Sequence, residues 1–127
     1  MKIFQTKFQP VLVEMDSSVI VHYLDCAGTA QSGSTQIIPP ASYQTVVVGK
    51  WVDASNYGIN LPTPFQIGWV IEVYADGGTI EIFPGYNAGL SPLTFLGGGS
   101  SVSTSTSARF RSVYSPTANA NLWAKLD

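Results

Sequence analysis

The chain has 127 residues, room for one domain that buries about two thirds of the surface its unfolded form exposes. It is 45% hydrophobic but only 11% charged, where about 25% charged is usual. A net charge of −2 supplies no basic footprint for phosphate backbones, so nucleic acid is not an expected partner.

Serine, threonine, asparagine and glutamine fill part of the gap in charge, notably in "GTAQSGSTQ" and "GGGSSVSTSTSA". The rest implies that much of the exterior is covered by copies of the chain or by a larger assembly, because interface cores are depleted in charge. No apolar run approaches the ~20 residues of a spanning helix, and "MKIFQTKFQP" lacks the continuous apolar centre of a signal peptide. Neither membrane attachment nor export is expected. The single cysteine, Cys26, cannot close an internal disulfide and reads as a buried, inert thiol.

In chain order, short runs rich in Val, Ile, Tyr, Phe and Thr alternate with Gly, Pro, Asn and Ser clusters, the pattern of an all-β domain. Strands are expected at 2–8, 11–15, 19–24, 43–49, 69–75, 79–83, 93–96, 101–107, 108–114 and 122–126. About ten short antiparallel strands imply a small β-sandwich or jelly-roll-like fold. The stretch "DCAGTAQSGSTQIIPP" (25–40) is rich in turn formers and separates N-terminal strands, residues 1–45, from a main β domain, residues 46–127. The N-terminal part reads as a possible arm or attachment region. No internal repeat is evident.

The segment "WVIEVYADGGTIEIF" (69–83) reads as a hairpin around a tight Asp76-Gly77 or Gly77-Gly78 turn, with Ile71, Val73, Ile80 and Ile82 on one face. Both registers place Glu72, Tyr74 and Glu81 on the other face, and one sets Glu72 opposite Glu81. Carboxylates about 5 Å apart are what a retaining glycosidase needs. Such a pair also needs burial in a cleft to raise one pKa, and a hairpin tip provides none. No catalytic, cofactor or metal site is therefore expected: His22 has no companion ligand, and "GGGSS" (97–101) lacks the Lys-Ser/Thr ending and helix of a phosphate loop.

"SARFRSVY" places Arg109 and Arg111 on one strand face, at the same i, i+2 spacing as an acidic ladder. A strand carrying them beside Glu72 and Glu81 would relieve like-charge repulsion. Glu72, Tyr74, Glu81, Arg109 and Arg111 are accordingly candidates for an interface. Tyr57, Tyr86 and Asn87, the last two in "FPGYNAGLSP" (83–92), are candidates for a ligand-contact loop in which aromatics would stack on a sugar.

Residues 59–126 resemble the β-structured domains of tailed-bacteriophage virion proteins, as found in head decoration (cement) proteins and tail fibres. The resemblance runs through Leu61 and Pro62, then Gly68, Ile71 and Val73, then Ile82, Pro84 and Gly85. Phe110, Val113, Trp123 and Leu126 match its closing elements. After Pro84 the segment "GYNAGLSPLTF" replaces a shorter connection. The resemblance implies a non-enzymatic structural protein on the capsid exterior, made in the host cytoplasm, homotrimeric, and bound to the major capsid protein or another virion protein. Its alternative implication is a receptor-binding or carbohydrate-binding module of a tail fibre, with a cell-surface glycan as partner.

Overall fold

The computed structural model describes residues 19–37 and 43–126. The strands expected at 2–8 and 11–15 lie outside the described residues. Among the described residues there are nine strands: β1 (Val19–Asp25), β2 (Thr35–Gln36), β3 (Gln44–Lys50), β4 (Gly58–Asn60), β5 (Val70–Asp76), β6 (Ile80–Phe83), β7 (Val102–Thr104), β8 (Ser107–Ser115) and β9 (Ala120–Leu126). A 3-10 turn at Gln31–Gly33 is the helical element among the described residues.

The strands form a five-stranded sheet, ordered β1-β3-β5-β8-β9, and a four-stranded sheet, ordered β2-β4-β6-β7. Both sheets are mixed, which corrects the expectation of wholly antiparallel pairing. Strands β1, β3 and β5 run parallel, as do β2, β4 and β6; antiparallel pairing enters with β7, β8 and β9. Through β6 the chain alternates between the sheets, one strand in each, so it winds as stacked coils. Val19 pairs with Gln44 and Gln44 with Val70, steps of 25 and 26 residues. On the other sheet Thr35 pairs with Ile59 and Ile59 with Ile82, steps of 24 and 23. The coils repeat in space without repeating in sequence. The boundary expected at residues 45–46 falls inside β3, which pairs with β1 along its whole length.

The runs "VIVHYL", "TVVVG" and "VIEVYA" suit parallel strands, which are rich in Val and Ile on both faces. One face of each is buried: Val47, Ile71, Val73, Ala108, Phe110 and Trp123 from the larger sheet meet Ile37, Ile59, Leu61, Ile80 and Ile82 from the smaller in a single cluster. Phe95, expected in a strand at 93–96, instead enters from a loop and stacks on Phe110, with ring centroids 5.4 Å apart. Buried polar groups fasten this core to the loops. The Trp123 indole N–H donates to the Pro62 carbonyl at 2.8 Å, and the Ser112 hydroxyl accepts from the Trp69 N–H and donates to the Gln66 carbonyl. Each such bond stabilises by roughly 1 kcal/mol, and more is lost when its partner is left buried and unpaired.

The hairpin expected at 69–83 does not form. Strand β5 is already flanked by β3 and β8, so the short link after Asp76 carries the chain to the other sheet. The Trp51 indole occupies this corner: a Cβ on Gly78 would lie 2.7 Å from its ring, and the Trp51 backbone N–H donates to the Asp76 carbonyl at 2.8 Å. Asp76-Gly77-Gly78 is thus a turn between layers. The run "SVSTSTS" breaks in the same way, into β7 on one sheet and the start of β8 on the other.

Candidate functional site

Because β1, β3, β5, β8 and β9 pair without large stagger, the outward side chains of the larger sheet line up in rows across it. Val19, Gln44, Val70, Arg111 and Ala124 make the first row. Val21, Val46, Glu72, Arg109 and Leu126 make the second, and Tyr23, Val48, Tyr74 and Ser107 the third. Asp25, Lys50 and Asp76 close the face as a fourth row. Successive rows are about 6.8 Å apart.

This face is open. Val21 is 48% exposed, Tyr23 77% and Tyr74 42%, and a shallow depression of about 200 Å³ lies among Val19, Gln44, Val70, Glu72, Arg109 and Arg111. Parallel strands normally have both faces covered, because both are apolar. Here the smaller sheet covers one face of β1, β3 and β5, and nothing among the described residues covers the other.

Charge on the face is sorted by row. Glu72 is the cross-strand neighbour of Arg109, while Arg111 lies between Val70 and Ala124, with no acidic neighbour across either strand. At the far end Lys50 sits between Asp25 and Asp76, leaving one carboxylate in excess. The Glu72 carboxylate raises the Tyr74 phenol above its ordinary pKa, desolvation adds to the rise, and Arg109 partly opposes it.

The structure separates the two glutamates. Glu81 lies on β6 between Gly58 and Ser103 of the smaller sheet, where its carboxylate accepts a 2.6 Å hydrogen bond from the Ser101 hydroxyl. Buried Ile80 and Ile82 flank it in sequence, so it points away from the core, as Glu72 does on the other sheet. Facing sheets are about 10 Å apart, and outward groups on opposite sides are farther still. The two carboxylates cannot share a substrate, and Glu81 is not part of the row that holds Glu72, Tyr74 and Arg109.

The ligand-loop candidates also part company. Tyr57 lines a depression of about 310 Å³ with Trp51 and Glu81. Tyr86 lines a larger cleft of about 460 Å³ with Ile37, Pro62, Phe65 and Leu90. The Asn87 side chain accepts from the Gly89 and Ser91 N–H groups, so it shapes its own loop. Sequence reasoning passed over Phe65 and Leu90, which are 64% and 80% exposed; Leu90 also holds a left-handed φ of 65°. No periodic pattern marks such loop residues.

Cys26 is buried beneath the coils, and its thiol is pushed up to about 11 by desolvation and by the neighbouring Asp25 carboxylate. Among the described residues no group of three or more His, Cys, Asp or Glu side chains is placed to hold a metal ion. The chain matches no known family model, no curated protein and no solved structure.

Proposed function

We propose that the chain is a structural protein of a tailed-phage virion, a head decoration (cement) protein that assembles through the open face of its five-stranded sheet. The observation that carries this reading is the Val- and Tyr-rich outer face of β1, β3 and β5, apolar enough to require a cover and bordered by charge at both ends. The scarcity of charge in the whole chain and its Ser/Thr-rich strands agree with a surface meant for assembly.

A second reading, a receptor-binding or carbohydrate-binding module of a tail fibre, is favoured by one feature: the cleft rimmed by Phe65, Tyr86 and Leu90. Copy number separates the two. Quantitative mass spectrometry of purified particles that carry the chain is expected to find hundreds of copies, and heads lacking it are expected to burst at lower temperature. A few copies per particle, with loss of adsorption when the chain is deleted, would establish the fibre reading instead.

A further inference from the structure

We propose that two copies of this chain pack the outer faces of their five-stranded sheets together with strands antiparallel, so that Arg111 of each copy meets Asp76 of the other. The proposal rests on the assembly reading, names the partner of the open face as a second copy, and replaces the three-fold assembly that the resemblance implies with a two-fold one. Charge is unevenly distributed on that face. Its first two rows carry Arg111, Arg109 and Glu72, an excess of one positive charge, and its fourth row carries Asp25, Lys50 and Asp76, an excess of one negative charge. A surface with opposite excesses at its two ends is complementary to itself when turned end over end.

Two two-fold axes, one along and one across the strands, stack such faces so that all five strands overlap. An axis running along the strands through the central strand β5 sets Glu72 over Glu72 and Asp76 over Asp76, placing like charges together in a water-poor contact. An axis running across the strands sets the first row over the fourth and the second over the third. Val46 then lies over Val48 of the second copy, Val21 over Tyr23, and Glu72 over the Tyr74 phenol. Arg111 on β8 comes to lie one strand, about 4.8 Å, to the side of Asp76 on β5. At a sheet spacing of about 10 Å that gap is within reach of an arginine and an aspartate.

The size of the face limits the strength of the contact. Seven-residue strands about 23 Å long, five abreast at about 4.8 Å, give roughly 550 Å² per copy. The total of about 1,100 Å² is at the low end for specific interfaces, so association on the order of micromolar is expected in free solution.

The test is sedimentation equilibrium of the full chain over a wide concentration range, with Arg111→Asp, Asp76→Arg and the double variant. All three change exposed side chains, and circular dichroism and melting check that each still folds. The expected result is a monomer–dimer equilibrium that each single reversal weakens at least tenfold and the double reversal restores to within about threefold. A chain that stays monomeric at millimolar concentration, or an oligomer indifferent to the reversals, overturns the paired-face geometry. Binding of the same proteins to heads that lack the chain is measured separately. A monomer that still binds heads overturns this proposal and leaves the decoration reading standing.

Discussion

Glu72 stands directly across from Arg109 in the antiparallel pairing of β5 with β8, whereas Glu81, nine residues along the chain, lies on the opposite sheet. The charge ladder is therefore an acid facing a base on one open surface. Exposed cross-strand pairs of this kind stabilise by about 0.2–1 kcal/mol. A double-mutant cycle with Glu72→Ala and Arg109→Ala, followed by urea denaturation of the isolated chain, is expected to return a coupling within that range. The same neighbours control Tyr74, since Glu72 raises its pKa and Arg109 lowers it. In nuclear magnetic resonance titrations Glu72→Gln should bring the Tyr74 phenol down toward its ordinary value, and Arg109→Ala should move it further up.

Among the described residues, one core hydroxyl has no hydrogen-bond partner. Thr45 is buried on the inner face of β3, in register with Ile20 and Ile71, and its Oγ1 makes no hydrogen bond. Burying an unpaired hydroxyl costs about 1–3 kcal/mol, and valine has nearly the same shape. Thr45→Val should therefore raise stability, by about 1 kcal/mol, as a shift of the denaturation midpoint at constant slope. A loss of stability would mean that the hydroxyl has a partner.

Two glycines with positive φ should respond very differently to alanine. A Cβ on Gly85, whose φ is +78°, would lie 2.3 Å from the Leu61 carbonyl oxygen, a backbone atom held by the core. Gly98, with φ of +98°, has nothing within 4 Å of that position. Gly98→Ala should cost about 1 kcal/mol, the penalty for the backbone conformation alone. Gly85→Ala combines that penalty with a clash and should cost 3 kcal/mol or more, measured by thermal melting.

Cys26 links burial to pH. Its thiol is held up to about 11, against an ordinary value of 9.0, so the folded chain keeps a proton that the unfolded chain releases. The contribution is fully present below pH 9 and is lost as pH rises toward 11. Stability should fall over that window in the native chain and fall less in Cys26→Ala. At neutral pH a thiol reagent should modify Cys26 at the rate of unfolding.

Short runs rich in Val, Ile, Tyr, Phe and Thr between turn-forming clusters were enough to locate β1, β3, β5, β6, β8 and β9. They were not enough to choose partners. Parity put Glu72 and Glu81 on non-core faces, which is correct for each strand, but it carries no information on whether the two strands share a sheet. That was decided at the corner where Trp51 packs over Gly78, by a residue twenty-five positions before Asp76. The coil period of 23 to 26 residues left no trace in the sequence because each coil fills a different place in the core. Strands β2 and β4, of two and three residues, are too short to show any alternation. The apolar outer face was visible in the runs "VIVHYL" and "TVVVG", and its meaning depended on parallel pairing, which only the fold supplies.

On the decoration proposal, the outer face of the five-stranded sheet is buried when the chain is on the particle. Hydroxyl-radical footprinting of the dilute chain and of the same chain on phage heads tests it residue by residue. Tyr23 and Tyr74 are expected to be oxidised in the dilute chain and protected on the particle, while Phe65 and Leu90 at the cleft stay reactive in both. Tyr23 and Tyr74 reacting as readily on the particle as in dilute solution would contradict it.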